Sequence, residues 1–202
     1  MFGVRRTTCW IGVLVVVAAG CGEAAVESTA GAEREPAGGR THATARQQIR
    51  PTDGDGWQGN GYGDVKVQSH PSKAGNVKVW YTLEGKNAIP SEDTAPKNGV
   101  PDYAETVAAK LEETWQALIE RDGFRPPLDD AQYHDRPDYG GDGRFDVYLQ
   151  DIKSNDGYRV TEACKTDRPQ CAGYLVMEND FKGFGYPSQT RAIKVLASHE
   201  FM

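Results

Sequence analysis

The chain has 202 residues, 38% of them hydrophobic, with a mean hydropathy of −0.62, which suits one ordinary domain plus accessory segments. Its formal net charge is −6, and loss of the leader's Arg5 and Arg6 takes it near −8, so phosphate backbones are repelled and no nucleic-acid partner is expected. Beyond residue 20 no stretch is apolar for long enough to span a bilayer.

The chain opens like a leader for export. Arg5 and Arg6 form a positive n-region, and Trp10 to Ala19 is an apolar core too short for a stable membrane span. The flanking residues do not support twin-arginine export. Ala18-Ala19-Gly20-Cys21 resembles the lipobox cut by the lipoprotein signal peptidase, with Ala18 where Leu is more usual. Residues 1–20 are therefore expected to be a signal peptide and Cys21 the lipidated first residue of the mature protein. The competing reading is an ordinary Ala-x-Ala cleavage beside an incidental cysteine. The expected location is the cell envelope, lipid-anchored to a membrane, or the secreted space.

Residues 22 to 57 are rich in Ala, Gly, Glu, Thr and Pro, with almost no large apolar side chain. Such a segment cannot bury enough surface to offset its chain entropy, so 21–57 is expected to be a flexible tether. The ordered domain, 58–202, then begins near Trp57 to Tyr62.

Asn76 to Thr82 alternates, Val77, Val79 and Tyr81 against Lys78, Trp80 and Thr82, which predicts a half-buried strand. Residues 90–101 read as a polar loop. Pro101 suits a helix start, Asp102 and Glu105 place acid at its positive end, and the helix runs to about Arg121. Tyr103, Val107, Leu111, Trp115 and Leu118 make its core stripe, and Asp122-Gly123 stops it.

A Pro- and Asp-rich loop covers Phe124 to Gly143. Arg144 to Leu149 reads as a strand with Phe145, Val147 and Leu149 on one face. Ala172 to Glu178 reads as another strand, and Asn179 to Pro187 as a turn region. Ser188 or Thr190 can cap a last helix whose core face is Ala192, Ile193, Leu196 and Ala197. This order predicts an α/β (α+β) fold, a mixed sheet packed on helices.

Of the four cysteines, Cys9 leaves with the leader and Cys21 takes the lipid. Cys164 and Cys171 remain, and in an oxidising compartment so short a loop closes as a disulfide. Thiolate zinc sites come as four ligands in two close pairs, and no second pair exists here.

The functional argument lies in His199-Glu200-Phe201-Met202. The His-Glu-x-x-His pattern on a helix puts two imidazoles one turn apart on one face, where both reach one Zn²⁺, and the glutamate works on the metal-bound water. The chain supplies four of those five positions. It ends in mid-helix with no Gly, no cap and no basic last turn, so it is expected to be interrupted there.

An ordered set of segments carries a resemblance. Asn98-Gly99-Val100-Pro101-Asp102-Tyr103 is followed by a helix with Trp115 and by Gly123-Phe124. Next come Gly141-Asp142-Gly143-Arg144-Phe145-Asp146-Val147-Tyr148-Leu149 and Tyr174-Leu175-Val176-Met177-Glu178-Asn179-Asp180-Phe181, then Ala197-Ser198-His199-Glu200-Phe201. Over about residues 75–202 the chain resembles a family of secreted bacterial zinc metalloproteases of the HExxH zincin type. The resemblance implies a zincin N-terminal subdomain, a Zn²⁺ cofactor and hydrolysis of protein or peptide substrates. It makes His199 the first zinc ligand and Glu200 the general base. The family's second histidine, third ligand and C-terminal half have no counterpart, so this fragment is expected to be inactive by itself. The rival class is a non-catalytic envelope lipoprotein with a structural or binding role.

Calcium is weighed for Asp53, Asp55, Asp138, Asp142, Asp146, Asp151 and Asp156, which lie in Gly-rich loops. None follows the EF-hand spacing, and Asp-Gly pairs form ordinary turns, so Ca²⁺ is the weaker reading. His42 falls in the tether, and His70 and His134 in loops, where solvation is the simpler fate.

Overall fold

The computed structural model describes residues 50–54, 56, 59–131, 140–164 and 170–201. The expected signal peptide, Cys21, most of the expected tether, His42, Asp55, His134 and Asp138 lie outside the described residues. Among the described residues five strands and two α-helices follow one another: β1 (Val67–Pro71), β2 (Val77–Thr82), α1 (Asp102–Trp115), β3 (Phe145–Gln150), β4 (Gly157–Cys164), β5 (Cys171–Glu178) and α2 (Gln189–Glu200). The expected mixed sheet packed on helices is what the chain forms.

The sheet order is β1-β2-β3-β5-β4. β2, β3 and β5 run parallel at the centre, and β1 and β4 pair antiparallel on the two edges. Central parallel strands are covered on both faces and read as nearly continuous apolar runs. All six residues of β3 and all but the first residue of β5 are buried accordingly. β3 is thus buried on both faces, where alternation marked only one.

Both helices lie on one face. Val77, Val79, Phe145, Val147, Leu149, Leu175 and Met177 from the strands pack there with Tyr103, Val107 and Leu111 of α1 and Ile193, Leu196 and Ala197 of α2. Trp115 and Leu118 join at the margin, so the α1 stripe continues through a π-helical segment, Gln116–Arg121, before Gly123 ends it with a φ of 75°. Pro101 stands one place outside α1, at its N-cap, and the Asp102 carboxylate accepts from the backbone of Thr94 and Ala95.

The opposite face carries Tyr148, Val160, Tyr174 and Val176 with Tyr62 laid against them. The Tyr62 hydroxyl hydrogen-bonds to the carbonyls of Trp80 and Leu149, tying the incoming chain to β2 and β3. Arg50, placed by composition in the expected tether, is fully buried.

Two strands depart from the sequence reading. β1, Val-Gln-Ser-His-Pro, is a short polar edge strand, and β4 fills what reads as a disulfide loop. The Cys164–Cys171 disulfide is present, and the two cysteines are register partners at the end of the β4–β5 pair. Closing so short a loop contributes roughly 2–3 kcal/mol in the chain-entropy account.

Candidate functional site

α2 carries His199 and Glu200 in its last turn. Ser188 stands extended at its N-cap and its hydroxyl accepts from the Arg191 N–H, a cap that contributes about 1 kcal/mol. Ala192, Ile193, Leu196 and Ala197 form the buried face, as their spacing predicts. The helix is then pinned at its far end. Phe201 is 8% exposed, lies 4.9 Å from the Phe145 ring and meets Trp115 edge-on at 6.0 Å. Its N–H closes the last helical bond to the Ala197 carbonyl.

His199 and Glu200 sit just before that anchor and face different surroundings. The His199 side chain is 77% exposed and that of Glu200 15% exposed, with Nε2 and Oε1 3.8 Å apart. Among the described residues the imidazole makes no other polar contact, so it suits a metal ligand as far as one donor goes. Described residues bring no group of three His, Cys, Asp or Glu together in a metal-binding arrangement. One imidazole is a third of a catalytic donor set.

β4 supplies a neighbour that sequence reasoning missed. Arg159 pairs in register with Leu175, which belongs to the helix-side core, so its side chain leaves the sheet toward α2. Burial pulls the Arg159 guanidinium below its ordinary value, and the Glu200 charge partly restores it. Glu200 therefore lies between an exposed imidazole on its own helix and a part-buried guanidinium on the edge strand.

The densest polar cluster is elsewhere, on the helix-free face. Arg50 donates to Asp130, Asp146 and Glu162, the last through Nε and Nη2 at 2.8 and 2.6 Å, and lies 5.5 Å from the Tyr174 ring centre. Trp80 Nε1 donates to Asp146 at 2.6 Å. Burial alone would lower the Arg50 pKa, but the Glu162 hydrogen bond and the charges of Asp146 and Glu162 raise it above its ordinary value. No sequence signal marks Arg50, because its partners stand 80 to 112 positions away.

Several of the described aspartates weighed for calcium have other partners. Asp142 pairs with Lys78 at 3.0 Å and Arg144 at 3.3 Å, Asp146 takes Arg50, and Asp156 accepts from the Tyr186 hydroxyl. Asp151 lines a polar hollow at the ends of β3 and β5 with Lys153, Glu178 and Asp180. A hollow of about 760 Å³ lies between β1 and α1, with His70 and Glu112 on its wall, and includes neither His199 nor Glu200. Glu112 is buried there and is held by Ser72 and Asn76.

Comparison with known protein families, with curated proteins and with solved structures finds no match to this chain.

Proposed function

We propose that the chain is the N-terminal part of an exported, lipid-anchored zinc-dependent endopeptidase, with His199 as the first metal ligand and Glu200 as the general base. The observation that carries this reading is the pairing at the end of α2. An exposed imidazole with no hydrogen-bond partner among the described residues adjoins a sheltered carboxylate, and Phe201 fixes the helix that bears both.

The ordered motifs from Asn98 to Phe201 support the same reading, and a helix following the last parallel strand suits it. A zinc ion supplies Lewis acidity toward water and the scissile carbonyl. The chain's own part is division of labour. His199 offers a nitrogen lone pair, and Glu200 takes a proton on a carboxylate oxygen and returns it to the leaving amine.

The reading requires a second histidine one turn after His199, at position 203, and a third ligand further on. The test is metal content of the protein expressed through its natural downstream codons. About one zinc per chain is expected, with its loss in His199→Ala and no tight zinc in a protein ending at Met202. A protein that purifies metal-free and does not take up added zinc overturns the proposal in favour of a non-catalytic envelope lipoprotein.

A further inference from the structure

Packing between α2 and β4 fixes what faces Glu200. A Cβ on Gly157 would meet Leu196 Cδ2 at 2.5 Å, so Leu196 rests directly on the first residue of β4. Glu200 follows Leu196 by four residues, about 6 Å further along the same helix face. Arg159 follows Gly157 by two residues, about 6.6 Å further along the same face of the strand. The two advances match, which sets Arg159 against Glu200 at the free edge of the sheet.

Among the described residues the Arg159 side chain makes no hydrogen bond and no ion pair, and its Nε is buried with no partner. Arg50, on the other face, shows what this sheet does with a guanidinium that serves only the fold: three carboxylates surround it. A half-sunken guanidinium with a buried, unpartnered Nε–H, on the strand that faces Glu200, is a poor stabiliser and a ready anion receptor.

We propose that Arg159 is the anion-recognition residue of the His199–Glu200 site and takes a carboxylate of the bound peptide. The inference rests on the peptidase reading of that site and adds the substrate class: peptides carrying a carboxylate close to the bond that is cut. The planar fork can accept a ligand carboxylate while Glu200 stays alongside, as Arg50 accommodates several carboxylates at once.

The test is peptide binding to the protein expressed through its natural downstream codons, with and without zinc chloride, read by affinity and by the Arg159 Nε–H resonance. Three peptides separate the sources. Acetyl-Ala-Glu-Ala-amide has only a side-chain carboxylate, acetyl-Ala-Gln-Ala only a terminal one, and acetyl-Ala-Gln-Ala-amide neither. At least one carboxylate peptide is expected to bind about tenfold more tightly than the neutral one and to shift the Arg159 Nε–H signal. Arg159→Met is expected to erase the preference, and Arg159→Lys to keep part of it. Equal affinities in the wild-type chain, an unmoved Nε–H signal, or a preference surviving in Arg159→Met overturns the inference. Binding is read without hydrolysis, so absence of zinc and of cleavage sinks the peptidase reading and leaves a carboxylate preference standing. Equal affinities in a protein that does cleave sink this inference alone.

Discussion

Asp146 and its neighbours make the acid–base behaviour of the fold predictable. Burial pushes the Asp146 carboxyl up to about 7, against the pull of the Arg50 charge and the Trp80 hydrogen bond. Burial also raises Asp130 and Glu178. An unfolded aspartate titrates near 3.9, so the folded chain binds more protons than the unfolded chain between about pH 4 and pH 7. The stability that Asp146 contributes is complete below about pH 4 and is lost as pH rises through about 7, and the raised Asp130 and Glu178 act in the same sense. Asp102, lowered by Thr94, and Asp122, lowered by Arg121, act in the other sense, and only as pH falls below about 4. The urea midpoint is therefore expected to fall between about pH 5 and pH 8, and Asp146→Asn to remove most of that slope. An unchanged slope in Asp146→Asn contradicts the assignment. None of this is legible in the sequence, where Asp146 is one aspartate among many and its charge partner stands 96 positions earlier.

Elements were legible where burial is periodic. β2, α1 and α2 each bury one repeating face, β3 and β5 bury both faces, and the residues that the spacing marks, such as Val77 and Val79, Tyr103 and Val107, or Ile193 and Leu196, are among those that pack. β1 lacks the signal because an edge strand with one free side can be short and polar, and Pro71 ends it. β4 does alternate, with Tyr158 and Val160 on one side and Arg159 and Thr161 on the other. Its signal is masked by the Ser-Asn-Asp-Gly run before it and by the cysteine that closes it. The candidate site was half legible for the same reason: His199 and Glu200 announce themselves as a motif, whereas Arg159 acquires meaning only when β4 lies under α2. Arg50 joins elements that no periodicity connects, namely the incoming segment, the loop bearing Asp130, β3 and β4. Replacing it by methionine leaves three buried carboxylates without their cation, which costs about 3–5 kcal/mol by analogy with broken buried pairs. Urea denaturation of Arg50→Met is expected to show that loss, together with faster amide exchange along β4. A loss under about 1 kcal/mol means that the cluster does not hold these elements together.

For the molecule as a whole, the proposed export and the proposed catalysis are separable. Among the described residues no helix is long and apolar enough to cross a membrane, and the proposed anchor is lipid on Cys21. Metabolic labelling with a fatty-acid analogue is expected to mark the protein, and Cys21→Ser to abolish the mark. Labelling that persists in that variant rejects the lipid anchor and leaves the domain untouched. The central claim is that Glu200 moves the proton while His199 holds the metal, and casein cleavage by Glu200→Gln, in the protein expressed through its natural downstream codons, tests it most directly. The account predicts that this variant keeps its zinc and loses cleavage by about 10²-fold or more. Cleavage at the wild-type rate, with zinc still bound, contradicts it.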